Sequence, residues 1–114
     1  SLESFPVFIK VTGGTTRTIT FPTEFNAVAI SALIENQSAA NACRFILNSA
    51  SRNAASTINL NPSTFRSFDN MNIVSIFVDA TALAGAETVD VFAQVAPLPM
   101  TDDQKDPGQK EGSL

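Results

Sequence analysis

The stretch Val7-Phe8-Ile9-Lys10-Val11-Thr12-Gly13-Gly14-Thr15-Thr16-Arg17-Thr18-Ile19-Thr20-Phe21 decides the fold class. Val7, Ile9 and Val11 alternate with Phe8, Lys10 and Thr12. After the glycines, Arg17, Ile19 and Phe21 alternate with Thr16, Thr18 and Thr20. A period of two puts successive side chains on opposite faces of a strand, whereas a helix would need a period near 3.6. Gly13-Gly14 tolerates the positive φ of a tight turn, so the stretch predicts two strands joined as a hairpin. Its second strand carries a row of threonines outward and apolar residues inward. Pro22 stops the run because it cannot donate to a ladder.

The same rhythm continues along the chain. In 26–35, Val28, Ile30, Ala32 and Ile34 fall on one face, and Ala27, Ala29, Ser31 and Leu33 on the other. Both faces are small or apolar, which predicts a central strand covered on both sides. Cys43, Phe45 and Leu47 alternate with Arg44, Ile46 and Asn48, and Ile58 and Leu60 precede Pro62. Residues 62–70 read as a turn-rich corner holding Phe65 and Phe68. The run Ile73-Val74-Ser75-Ile76-Phe77-Val78-Asp79 is the most hydrophobic and predicts a sheet centre. Ala-Thr-Ala-Leu-Ala at 80–84 favours a short helical turn that Gly85 would end. Last, Val89, Val91, Ala93 and Val95 alternate with Asp90, Phe92 and Gln94 up to Pro97.

About seven to eight strands with turns at intervals of roughly 8–12 residues predict an all-β fold, an antiparallel β-sandwich or jelly roll. The core is expected from Val7, Ile9, Val11, Ile19, Phe21, Val28, Ile30, Ile34, Phe45, Leu47, Ile58, Leu60, Ile73, Phe77, Val89, Val91 and Val95. Each such side chain contributes about 1.5–3 kcal/mol when fully buried. Residues 97–114 differ in kind: three of the chain's six prolines lie there, with no aromatic residue and mostly Asp, Lys, Gln, Glu and Gly. Such a segment buries too little surface to offset its ordering entropy. The expected division is therefore a sandwich over 1–96 and an extended polar C-terminal arm over 97–114, which would order against a neighbouring chain.

Composition narrows the chemistry. The 114 residues contain no His, Tyr or Trp and a single Cys, against nine Phe. No Ser–His–Asp triad can be built without His, and Cys43 has no imidazole to activate it. Cys43 sits in an apolar run and reads as a small buried hydrophobe; alone it makes no internal disulfide. Net charge is −4, with five bases and seven acids in 1–96 and two bases and four acids in 97–114. Neither part is basic, so neither nucleic acid nor an anionic membrane surface is an expected partner. No apolar run reaches the ~18 residues of a membrane span. No basic–apolar–small-residue leader opens the sequence.

The remaining site candidates each have a plain reading. Asp79 and Asp90 could meet across a hairpin as an acid/base pair, but strand-end charge explains them without a cleft. Asp69, Asn70 and Asn72, or Asp102, Asp103 and Asp106, offer oxygen ligands without the spacing of a calcium loop, and Asp69-Asn70 fits a turn better. Asn36-Gln37-Ser38 matches a glycosylation pattern that arises easily by chance. No enzyme activity, cofactor or metal is expected. What is left is surface. Thr16, Arg17 and Thr18 could form a flat polar docking face, and Phe65, Arg66 and Phe68 an aromatic–basic contact or the anchor of a ligand-binding, carbohydrate-type sandwich. Arg44, Arg52 and Arg66 suit carboxylates of another chain better than a phosphate track.

A resemblance adds a context. Thr57-Ile58-Asn59-Leu60-Asn61-Pro62, then Phe68-Asp69-Asn70, Ile73-Val74-Ser75-Ile76-Phe77-Val78-Asp79 and Thr88-Val89-Asp90-Val91 resemble small β-sandwich proteins of tailed-phage virions. The pattern is especially that of capsid decoration (cement) proteins and head-fibre or tail accessory domains. The likeness covers about residues 56–96 and rests on the order of strands and turns. It implies a non-enzymatic virion structural protein, made in the host cytoplasm, whose partners are a major capsid protein or other virion proteins. It also implies a homo-oligomer, with trimers frequent at capsid symmetry axes. A tail, neck or fibre-base component would fit the same pattern.

Overall fold

A computed structural model describes residues 3–48 and 55–99. Eight strands and one short helix follow in the order β1 (Phe5–Thr12), β2 (Thr16–Thr20), α1 (Phe21–Phe25), β3 (Ala27–Asn36), β4 (Cys43–Leu47), β5 (Ile58–Leu60), β6 (Phe65–Phe68), β7 (Ser75–Asp79) and β8 (Thr88–Pro97). They form two four-stranded sheets, β1-β8-β3-β6 and β2-β7-β4-β5, and every neighbouring pair is antiparallel. The chain passes from one sheet to the other at almost every connection. That order is a jelly roll, in which two interleaved sheets share one core. The boundary expected at residue 96 falls inside β8, which includes Pro97. Residues 100–114, most of the expected arm, lie outside the described residues, as do Arg52 and the Asp102, Asp103 and Asp106 candidates.

Gly13-Gly14 joins strands of different sheets, because β1 pairs with β8 and β2 with β7. The expected hairpin is therefore a sheet-to-sheet crossing. Gly13 donates its N–H to Glu87 O at 2.8 Å and Gly14 to Ala80 O at 2.8 Å. A Cβ on Gly13 would lie 1.8 Å from the Ala84 carbonyl oxygen, and Gly14 has φ +84°. Close approach and left-handed backbone both demand glycine here.

The core holds Val11, Ile19, Phe21, Ile34, Phe45, Leu60, Ile73, Val89, Val91 and Val95 as expected, with Val7, Ile9, Leu47 and Ile58 half-buried against it. Three expected core residues face elsewhere. Pairing on β3 shifts between Ala29 and Ser31, which leaves Ile30 as the extra residue of a β-bulge. The bulge reverses the parity of the strand. Ala27 and Ala29 point inward before it and Ala32, Ile34 and Asn36 after it, so Val28 is half-buried and Ile30 is 39% exposed. The outer face of β3 is thus not covered as expected. On the way to β7 the chain changes sheets. Ile73 bridges Ala29 of one sheet, whereas Ser75–Asp79 pairs with β2 and β4 of the other. Ile76 and Val78 take the core and Phe77 turns outward.

β7 lies inside its sheet, in agreement with its hydrophobicity. The 62–70 corner contains an edge strand, β6, too short and exposed to stand out in the sequence. Residues 80–86 form turns rather than a helical turn, tied by Leu83 N–H to Ala80 O and Glu87 N–H to Ala84 O. The helix of the described residues is α1, where Pro22 occupies the first turn and Asn26 closes it at φ 51°. Asn36 is 1% exposed. Its Nδ2 donates to Asn41 O, Leu60 O and Asn61 O, and its Oδ1 accepts from Ser38 N–H. That burial removes the amide from any glycan-adding enzyme in the folded state.

Candidate functional site

Sequence-predicted contact residues fall into two places. Thr16 and Thr18 are exposed on β2, the edge of the β2-β7-β4-β5 sheet. Arg17 is half-buried and donates to Glu24 Oε1 at 2.6 Å, while Glu24 Oε2 accepts from Thr20 N–H at 2.9 Å. Arg17 thus pins α1 to β2. Phe65, Arg66 and Phe68 lie on β6, the far edge of the other sheet. Phe65 is 59% exposed, but Phe68 turns inward and meets Phe45 edge-on at 5.9 Å. Phe65 and Phe68 therefore point to opposite sides of their strand and make no aromatic platform. The two predicted sets sit on different sheets and do not form one surface.

The carboxylates separate as well. Asp79 is on the outer face of one sheet and pairs with Arg44 Nη2 at 2.7 Å; Asp90 is on the outer face of the other and lies 3.5 Å from Lys10 Nζ. No acid/base pair exists between them. Burial would raise the Asp79 carboxyl, but hydrogen bonds from the Thr81 hydroxyl and N–H, with the Arg44 guanidinium, hold it below its ordinary value. Arg44 is thereby engaged within the chain rather than reserved for a partner. Glu87 is also held down, first by the Ala84 N–H. Cys43 is buried, and desolvation pushes its thiol up to about 11. A protonated thiol is a poor nucleophile. Among the described residues no three His, Cys, Asp or Glu side chains gather at a distance suited to a metal. No helix there is long and apolar enough to cross a membrane.

The surface that stands out was not singled out by the sequence. On the outer face of β1-β8-β3-β6, antiparallel register aligns side chains in rows across the strands. The middle row is Phe8, Phe92 and Leu33, ending at Ser67. Phe8 and Phe92 stack with ring centroids 4.5 Å apart and planes 16° off parallel. They remain 49% and 42% exposed. On one flank lie Lys10, Asp90, Glu35 and Phe65; on the other, Pro6, Gln94 and Ser31. Asp90, although outward, is buried under its own partners: Thr88 Oγ1 donates at 2.8 Å and Gln37 Nε2 at 3.2 Å. Lys10 Nζ also lies 5.1 Å from the Phe8 ring centroid. A shallow depression runs between Pro6, Phe8, Ser31, Leu33, Phe92 and Gln94. Phe at outward positions of two runs, 7–11 and 89–95, is the signal that could have disclosed it.

No family model matches the chain, and neither does any curated protein. Among solved structures, a chain of the disulfide-linked pili formed by Bacillus endospore appendages aligns over 83% of this chain and 88% of its own, with a TM-score of 0.55 and 16% identity. The coat protein of Tobacco streak virus, solved as a dimer, aligns over 90% of this chain and 94% of its own, with a TM-score of 0.38 and 16% identity. The pilus chain shares the fold; the coat protein is too distant to carry more.

Proposed function

We propose that this chain is a non-enzymatic structural subunit that works by adhering to other protein surfaces in a larger assembly. The observation that carries the reading is the stacked and exposed Phe8–Phe92 pair, next to half-buried Leu33, on the outer face of the β1-β8-β3-β6 sheet. Contiguous exposed apolar surface on a small domain marks a contact site. The absence of imidazole and the buried, protonated Cys43 give chemistry little to work with. A pilus subunit of the same fold supports the reading by analogy only, since one fold hosts many functions. The disulfide linkage of that pilus does not carry over readily: the one cysteine here is 1% exposed.

Within that reading, the chain decorates or cements a phage capsid, in contact with the major capsid protein or other virion proteins. The support is the strand pattern of residues 56–96 and a jelly roll compatible with it. Weak contacts repeated over many copies would reinforce a shell by multivalency. The test is to mix the purified full chain with undecorated shells and measure binding and shell melting. Association at micromolar concentration with a raised shell melting temperature is expected; no association would overturn the capsid assignment.

A further inference from the structure

We propose that β1 is a pairing edge for a second copy of this chain. The two β1 strands join antiparallel, with Ile9 opposite Ile9 and Phe8 opposite Lys10, and make one continuous sheet from two. The proposal rests on the reading of the chain as an assembly subunit, and it uses the edge of the β1-β8-β3-β6 sheet rather than its outer face.

The ladder shows which backbone groups of β1 are open. β1 and β8 keep one register from Phe5↔Val95 to Thr12↔Thr88, and Gly13 N–H to Glu87 O continues it. In an antiparallel ladder, residues that exchange both bonds with the neighbour alternate with residues that exchange none. Phe5, Val7, Ile9 and Val11 therefore bond to β8, while Pro6, Phe8, Lys10 and Thr12 turn their backbone groups away from it. Gln37 N–H to Thr88 O agrees, since it gives the even-numbered residues of β8 to β3 and leaves the odd-numbered ones to β1. Among the described residues, no hydrogen bond engages the N–H or C=O of Phe8 and Lys10, the Thr12 N–H or the Pro6 C=O. β1 is eight residues long; the other edge strands, β2, β5 and β6, have five, three and four. On β2, the Thr20 N–H is already taken by Glu24.

This open row is complementary to itself. Pro6 has no N–H to give, and Thr12 C=O already accepts from Thr15 N–H at 3.2 Å and Thr15 Oγ1 at 2.6 Å. With Phe8 opposite Lys10, Pro6 stands opposite Thr12. The missing donor then meets the occupied acceptor, and Thr12 N–H donates to Pro6 C=O. Phe8 of each copy exchanges both bonds with Lys10 of the other. A slip of two residues spoils the match. In one direction Pro6 faces Lys10, whose open C=O is left without a donor. In the other Lys10 faces Lys10, two like charges directly opposite. The matched register instead sets each ammonium across from a ring, the kind of contact Lys10 Nζ already makes at 5.1 Å from its own Phe8. On the inner side it pairs Val7 with Val11 and Ile9 with Ile9, and Val7 and Ile9 are only half-buried in one copy. Pro and Lys commonly blunt a sheet edge. Here Pro6 sits near the end of the row and Lys10 points out of the sheet, so neither shields the backbone of Phe8 and Lys10. Strand addition of this kind is isologous and closes at a dimer. A single strand pair is a small contact, so the dimer is weak and concentration-dependent. The two-fold pairing also departs from the threefold symmetry implied by the virion resemblance.

Sedimentation velocity and amide hydrogen exchange by NMR, both on the full chain, dilute and concentrated, test the proposal. A monomer–dimer equilibrium is expected. The Phe8 and Lys10 amides should exchange fast in dilute solution and slowly in the dimer, and the Ile9 amide slowly in both. Lys10→Pro removes an outward N–H without touching the β8 ladder, as Pro6 does, and should weaken the dimer at least about tenfold. Lys10→Ala keeps that N–H and should weaken it less than about threefold. Circular dichroism checks that each variant folds. In a Cys43→Ala background, Ile9→Cys should cross-link with itself and Lys10→Cys should not, because only position 9 lies opposite its own copy. A monomer throughout, a dimer whose Phe8 and Lys10 amides stay unprotected, equal weakening by Lys10→Pro and Lys10→Ala, or cross-linking of Lys10→Cys alone would each overturn the proposal. A monomer that nevertheless binds shells sinks this contact and leaves the structural reading standing. A dimer with these properties that binds no shell keeps the contact and removes the capsid.

Discussion

Phe77 and Phe92 hold matching places in the two sheets. Each lies on the second strand, each points outward, and each is the centre of a row across its sheet: Thr18–Phe77–Ile46 on one side, Phe8–Phe92–Leu33 on the other. Their fates differ. Phe77 is half-buried and its neighbour Ile46 is 3% exposed, in a recess shared with Thr57 from the segment entering β5. Phe92 is 42% exposed and its neighbour Phe8 49%. The lesson is that an outward apolar side chain has no fixed meaning. Beside the recess that Arg44, Thr57 and Asp79 also line, it is half-buried or buried; on the face that nothing of the described chain covers, it stays open to solvent.

Charge follows the same division. Arg44 and Asp79 lock together beside the covered row at 2.7 Å. Beside the open row, Lys10 stands 3.5 Å from Asp90 and 5.1 Å from the Phe8 ring centroid, a longer pair than the one at Arg44.

The largest expected effect breaks the comparison at its covered end. Ile46→Asp places a charge at a position only 3% exposed and should cost about 3 kcal/mol or more of unfolding free energy in urea melts. Phe92→Asp, at the matching row, gives up its stack on Phe8 and should cost less, about 1–2 kcal/mol. Equal losses would erase the distinction. Next, Asn36→Leu strips donors from three buried or part-buried carbonyls beneath both faces and should cost about 1–3 kcal/mol. It should leave the concentration dependence of sedimentation unchanged, which separates core from surface.

A smaller, pH-dependent effect sharpens the contrast in charge. The Asp79 carboxyl is held below its ordinary 3.8 in the folded chain. Its stabilising contribution is therefore complete above that value and is lost as pH falls through the lowered one. Melts of Asp79→Asn against the parent below pH 4 should show a shallower acid loss in the variant; parallel curves would remove Asp79 from the account. Smallest of all, Thr16→Ala and Thr18→Ala should each fall within about 0.5 kcal/mol and leave self-association untouched, as expected of exposed side chains on the other sheet.

Much of the jelly roll was legible, and the parts that were not share a cause. The run 88–96 gave its inward set, Val89, Val91, Ala93 and Val95, because a single uninterrupted strand preserves parity. Ile30 and Phe77 were misplaced because a bulge and a change of sheet each shift parity by one residue, and neither leaves a Gly or Pro behind. The Gly13-Gly14 turn was recognised but not its destination, since only long-range pairing tells a hairpin from a crossing. The candidate site suffered most. The alternation of 7–11 and 89–95 already sets Phe8 and Phe92 opposite the inward residues; what it does not show is that β1 pairs with β8 and stacks the two rings, because that pairing spans most of the chain. The clean threonine row drew notice instead, because its pattern is unambiguous.

Hydroxyl-radical footprinting of the full chain in dilute solution tests the central contrast most directly. Phe8 and Phe92 should be oxidised well ahead of Phe77. Oxidation of Phe77 as fast as Phe8 and Phe92 would contradict the account.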